Sequence, residues 1–400
     1  MPFDPRRLCQ PQLKSATFLH PYATLAILRH DWADRSILIP PANHFRTILK
    51  PTYSSPENIG TATGPFPRAS DFTINAKDQK PMNRRHFHRF AALNTLLPAK
   101  AQTYTQIPPN PWSFQMQPDQ LLIKYNQQLI MTYVFTDPAV KRPYFMDLHT
   151  AGGTRITRHN PPHPDIEATD HTTMHPGLWL AFGRLNGDDY WRNKAHVQHM
   201  FLQSPTVISN QLYFSVRNTY HPIDNTKLPT NEIAEFRLSS HQGILILDWN
   251  STIKTKSKFL QLGHQEEMGL GVRLATPLCV KTGHGQLHNS QGGTNEKETW
   301  GKEAKWWAAS MPSTGANPKN LRSGIQIIAQ NSNSLKFWGH TRDYGLIVAN
   351  PTPRPDQNLD SIELPADKPL KMQFRILLFE NIKPEFEKWG ETKLQTDADL

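Results

Sequence analysis

Apolar residues across positions 102–400 fall in short runs, several of them with a period of two. In "QLYFSVRNTY" (211–220), Leu212, Phe214 and Val216 take one face and Tyr213, Ser215 and Arg217 the other. That is the alternation of a strand with one buried side. "LLIKY" (121–125) and "LIMTYVF" (129–135) are separated by Asn-Gln-Gln, and "IAEFRLSS" and "ILILDWN" flank His241-Gln242-Gly243. Each pair predicts a hairpin. "YFMDLHT", "LGVRLATPLCV", "GIQIIAQ", "GLIVAN" and "LKMQFRILLF" complete the strands, and only the late "KPEFEKWGETK" reads as helix. Strands this closely spaced, punctuated by Gly, Pro and Asn, predict an all-β fold. The length suits a large, supersandwich-like antiparallel β-sandwich with long loops and a short C-terminal helix. No boundary interrupts 102–400, so it reads as a single domain. The long loops at 150–175 and 283–312 are where a β scaffold carries its site.

The first 101 residues break this pattern. Residues 1–81 hold eleven prolines and only short apolar islands such as "ATLAIL". They read as a mis-assigned upstream stretch or a disordered N-terminal extension. From Met82, "MNRRHFHRFAALNTLLPAKAQ" places the basic pair Arg84-Arg85 ahead of a mildly apolar run and Ala99-Lys100-Ala101. This resembles a twin-arginine export leader of bacteria over 82–101, with cleavage before Gln102 and His88 standing where a bulky apolar residue is usual. The resemblance implies a periplasmic or secreted protein.

The leader changes the meaning of the charge. The whole chain is at +10, but residues 1–101 hold 14 basic and 6 acidic side chains, leaving 30 and 28 beyond. The later part is nearly neutral and has no basic cluster with interleaved aromatics, which excludes a nucleic-acid reading. No run approaches the ~20 apolar residues of a membrane span. Of the two cysteines, Cys9 precedes the leader and Cys279 sits in the strand-like "TPLCVK". A buried, inert thiol is expected there.

The densest polar stretch, residues 142–197, holds His149, His159, His163, His171, His175 and His196. His171 and His175 in "DHTTMHPGLW" are four apart, a spacing that suits a metal pair on a helix, but Pro176 and Gly177 argue against a helix. An imidazole also serves as general acid or base, or simply binds loop carbonyls. Glu266 and Glu267 are candidates for an opposing carboxylate. In an extended segment only one of them can face a cleft. Of Arg155 and Arg158, three apart, one is expected to hold substrate and the other to be solvated. "NSQGGTNEKETWGKEAKWW" groups Asn289, Asn295, Glu296 and Lys297 with Trp300, Trp306 and Trp307, and "FWGHTRDYGLIVANP" adds Trp338, His340, Arg342, Asp343 and Tyr344. Indole faces with amides and acids beside them suit sugar rings.

The blocks "RPYFMDLHTAGGTRITR", "DHTTMHPGLWLAFGRLNGDDYWRNKA", "EEMGLGVRLATPL", "NEKETWGKEAKWW" and "HTRDYGLIVANP" together resemble a bacterial family labelled methane oxygenase PmoA, or PmoA-like, over roughly 120–380. The usual form carries a third histidine at the His171–His175 stretch, where this chain has Thr172, Thr173 and Met174. The label implies copper-dependent methane oxidation by a membrane-embedded subunit. With no span in the sequence, it reads as a naming accident. Members are common in exported sets of polysaccharide-degrading bacteria, which implies carbohydrate chemistry.

The expectation is therefore an exported protein acting on a sugar or glycoside by hydrolysis, elimination or epimerisation. His171 or His175 works with Glu266 or Glu267. Arg155, Asn186, Glu296, His340, Arg342 and Asp343 position substrate, while Trp179 and Trp300 stack on it. The alternatives are a non-catalytic glycan-binding protein and a metal-dependent oxygenase using His171 and His175. No cofactor and no oligomeric state are specified.

Overall fold

The computed structural model describes residues 110–313 and 320–391. The extension and leader expected over 1–81 and 82–101 lie outside them. Two eight-stranded sheets dominate, and every paired neighbour is antiparallel. In spatial order the first is Trp112–Met116, Gln120–Tyr125, Gln128–Val134, Tyr144–Met146, Leu178–Ala181, Gly269–Arg273, Leu346–Asn350 and Trp338–Arg342. The second is Gln286–Asn289, Trp306–Pro312, Arg322–Ala329, Leu370–Ile382, Ile244–Lys254, Thr230–His241, Gln211–His221 and His196–Ile208. A two-stranded ribbon pairs Phe259–Gly263 with Ser361–Pro365.

The sheets meet face to face through aromatic rings. Tyr133 on the first lies 5.3 Å from Phe214 and 5.4 Å from Phe236 on the second, and Phe145 lies 5.5 Å from Trp249. The expected large all-β sandwich is the fold observed. Its local reason is the alternation itself: Leu212, Phe214 and Val216 are buried while Arg217 is exposed. Burying such faces on both sheets supplies the driving force, at roughly 25 cal/mol per Å² of apolar area.

Three local expectations differ. "LGVRLATPLCV" is not one strand: it ends at Arg273, and Thr276–Leu278 is a 3-10 turn with Pro277 in its first positions. Proline has no N–H to continue a ladder. Cys279 is buried as expected, but in the turn rather than in a strand. The span 283–312 is not an open loop either. It contains two strands and the short helix Asn295–Thr299, in which the Thr299 hydroxyl donates to the Asn295 carbonyl at 2.7 Å. Five residues are too few to show a helical period. The C-terminal helix is observed at Phe386–Glu391, with Phe386 and Trp389 against Phe379.

Candidate functional site

Four strands of the first sheet, Leu178–Ala181, Gly269–Arg273, Leu346–Asn350 and Trp338–Arg342, lie side by side. Their ends and the loops around them gather a polar cluster. Each part has a local reason to be there.

His171 and His175 sit in a single turn, closed by the His175 N–H donating to the His171 carbonyl at 2.8 Å. The turn stacks the two imidazoles, with centroids 4.8 Å apart. Two buried arginines hold this loop by its carbonyls. Arg158 donates to Ala168 and Asp170 at 2.8 Å, and Arg142 donates to Met174 at 2.8 Å. Burial lowers both guanidiniums to about 10, which leaves them charged near neutral pH. Arg158 is thus buried and bonded within the protein, not solvated.

Beneath His175 lies Trp179, fully buried and nearly parallel to it, 5.1 Å away at 9°. Trp179 can lie there because its cross-strand partner is Gly271. A Cβ on Gly271 would come within 2.5 Å of the indole. Trp179 therefore supports an imidazole and is not open for stacking on a sugar.

Glu266 and Glu267 lie in a turn, not in an extended segment, so both face the cluster. The buried Asn350 amide holds that turn, donating to the carbonyls of Gln265 at 2.8 Å and Glu266 at 2.6 Å. Glu267 then sits between two imidazoles. Its Oε2 lies 3.4 Å from His175 Nε2 and its Oε1 lies 3.5 Å from His340 Nε2. Both distances exceed an ordinary N–H···O bond. Both Nε2 atoms are buried and have no hydrogen-bond partner. Buried polar atoms without partners are uncommon and call for a reason.

The other ring nitrogens are occupied. Arg273 Nη1 lies 3.3 Å from His175 Nδ1, and the same guanidinium forms a bidentate pair with Asp170 at 2.7 and 3.1 Å. The indole N–H of Trp300 donates to His340 Nδ1 at 3.2 Å. Arg342 pairs with Glu296 at 2.9 Å and with Glu266 at 3.2 Å, and lies over the Trp300 ring.

Electrostatics follow from burial and these partners. Burial lowers His175 to about 4, so it is neutral near pH 7. Burial pushes Glu267 up, but the two imidazoles beside it outweigh that and hold it below the usual carboxylate range. Asp170 falls to about 2: burial opposes the shift, and His171 and Arg273 overcome it. Burial raises the Tyr344 hydroxyl to about 12; its ring packs against Arg273.

The remaining candidates fall elsewhere or do other work. Arg155 pairs with Asp147 at 2.8 Å. Asn186 stitches backbone, accepting from the Gln261 N–H and donating to Thr230. Asp343 exchanges hydrogen bonds with Glu296: its Oδ1 accepts from the Glu296 N–H, and its own N–H donates to the Glu296 carboxylate. The tryptophan-rich block divides. Trp300 and Glu296 join the cluster, while Trp306 packs against Phe386 of the C-terminal helix. Arg273 and Asn350 are the residues the sequence reading missed. The one signal for Arg273 is a charge closing the apolar run "GLGV".

A family model matches residues 120–387, well over half of the chain, and contains every residue of the cluster. The chain belongs to DUF6807, a family of unknown function. This corrects the attribution to a PmoA-like, methane oxygenase family, which no match supports. No curated protein matches this DUF6807 chain. Among solved structures it is similar to a galactose mutarotase-like protein from Clostridium acetobutylicum, at 11% identity and a TM-score of 0.35, over 68% of this chain and 98% of that one. No described helix of the DUF6807 chain is long and apolar enough to cross a membrane.

Metal ligation by His171 and His175 has an unfavourable donor set. With Asp170, their donor atoms lie within 4.8 Å of one another. Both Asp170 oxygens and His175 Nδ1, however, already face the Arg273 guanidinium. A cation therefore stands beside the place a metal ion would take, and like charges at such range repel.

Proposed function

We propose that this chain is an acid–base catalyst acting on a neutral, polyhydroxylated ligand of carbohydrate type, with Glu267 as the proton acceptor. One observation carries the reading: an ionised carboxylate faces two buried imidazoles whose Nε2 atoms lack any other partner. A ligand hydroxyl between them would satisfy all three groups at once.

The charge balance supports a neutral ligand. Asp170, Glu266, Glu267 and Glu296 face Arg158, Arg273 and Arg342, and every one of these guanidiniums is paired with a carboxylate. None of these three guanidiniums is left free to receive a carboxylate or phosphate, which such sites recognise through a guanidinium fork. The arrangement favours proton transfer at a hydroxyl or its carbon, as in epimerisation or elimination, over glycoside hydrolysis. Hydrolysis needs a second carboxyl group kept protonated. The other glutamate of the cluster, Glu266, is exposed and engaged by Arg342 at 3.2 Å, which is not the secluded carboxyl group that role calls for.

The low basicity of Glu267 favours a second reading, a binding protein that holds the same ligand without turning it over. The test is a panel of neutral sugars and glycosides with uronates beside them, followed by NMR for saturation transfer and for product. Neutral members should bind, with product formed by the wild type and lost in Glu267→Gln. Binding without product selects the second reading. Preferential binding of uronates would overturn both.

A further inference from the structure

We propose that Arg273 and Trp300 are positioning residues that lock His175 and His340 in the same tautomer, with the proton on Nε2 facing Glu267. Guanidinium and indole N–H groups can only donate. The contact of Arg273 Nη1 at 3.3 Å therefore requires a lone pair on His175 Nδ1, and that of Trp300 Nε1 at 3.2 Å requires one on His340 Nδ1. In a neutral imidazole the proton then lies on the other nitrogen. Both Nε2 atoms point at one carboxylate, 3.4 and 3.5 Å away.

One group competes. Glu266 Oε2 lies 3.5 Å from His340 Nδ1 and could accept a proton from it. That atom already accepts from Arg342 at 3.2 Å, and His340 Nδ1 cannot donate to Glu266 while accepting from Trp300. No comparable competitor stands at His175 Nδ1, where Asp170 is turned to Arg273 in a bidentate pair.

The consequence is a division of labour. The imidazoles serve as N–H donors, and Glu267 is the one acceptor among the three. The group such a site recognises is a hydroxyl, whose oxygen accepts from Nε2–H while its own proton goes to the carboxylate. A donor N–H has no lone pair for a metal, so neither Nε2 is a ligand in this state. The inference concerns protonation alone and stands whether or not a sugar is the ligand.

The experiment is long-range ¹H–¹⁵N NMR of the full chain at pH 7, with the two imidazoles assigned by their loss in His175→Gln and His340→Gln. Both rings should show a protonated Nε2 and an unprotonated Nδ1. In Trp300→Phe, His340 should move to the Nδ1–H form or a mixture, with the His175 pattern unchanged. An Nδ1–H tautomer or an imidazolium at either wild-type ring overturns the proposal. An unchanged His340 in Trp300→Phe removes the role of Trp300. The wild-type spectrum decides the tautomers even if Trp300→Phe fails to fold.

Discussion

The imidazole of His175 lies flat on the indole of Trp179, planes 9° from parallel, because Gly271 on the neighbouring strand has no side chain to lift that indole. Core packing thus sets the height of a polar group at the surface of the cluster. Gly271→Ala would place a methyl 2.5 Å from the ring. The expected cost is about 1–3 kcal/mol of stability, typical of an overpacked core. Chemical denaturation should show it, together with an altered His175 ring signal. A variant as stable as wild type with an unmoved His175 would contradict this support.

Stability should fall in mild acid before most carboxylates protonate. His175 titrates near 6.5 when unfolded and at about 4 in the fold. Between those values the unfolded chain binds the extra proton, so folding weakens as pH drops from 6.5 to 4. At full extent the loss is about 3 kcal/mol for a group this buried. Asp170 and Glu267, held below their ordinary range, add a further loss at lower pH as they protonate. Burial lowers His199 to about 4 as well, so denaturation midpoints across pH should show both phases, and His175→Gln should shrink the first without abolishing it.

Asn350 holds the turn that presents Glu267. Replacing it with alanine removes the donor to two carbonyls, those of Gln265 and Glu266. Leaving a buried acceptor without its partner costs about 1–3 kcal/mol. Asn350→Ala should lose that much stability and weaken ligand binding along with it. Asn350→Asp should not rescue either, because a carboxylate cannot donate to a carbonyl.

Cys279 should be unreactive in the native protein. It is buried, and burial raises its thiol above the ordinary value. Only the thiolate attacks a disulfide reagent. In a Cys9→Ser background, thiol labelling should proceed at the rate of unfolding. Fast labelling of folded protein would contradict the packing described.

The strands were legible because their signal is local. Alternation in 211–220 and the turn residues at 241–243 act within a few positions, and the observed hairpins follow them. The short helix at 295–299 and the break after Arg273 were not legible, since five residues show no period and one proline outweighs a run of apolar neighbours. Histidines and paired glutamates stood out by residue type. Arg273 did not, because an arginine ending an apolar run is ordinary until its partners are known.

By itself, then, the order of residues determined where strands run, which of their faces are buried, and which side chains have chemistry to offer. Tertiary structure alone decided which of those side chains meet. It set Trp179 under an imidazole and Trp300 beside one, turned both glutamates toward His340, and sent Arg155 and Asn186 to other tasks. The physical reason is range. Periodicity is written over a handful of positions, whereas the cluster depends on pairing 178–181 with 269–273 and 269–273 with 346–350, contacts between segments that nothing in their local pattern assigns to one another.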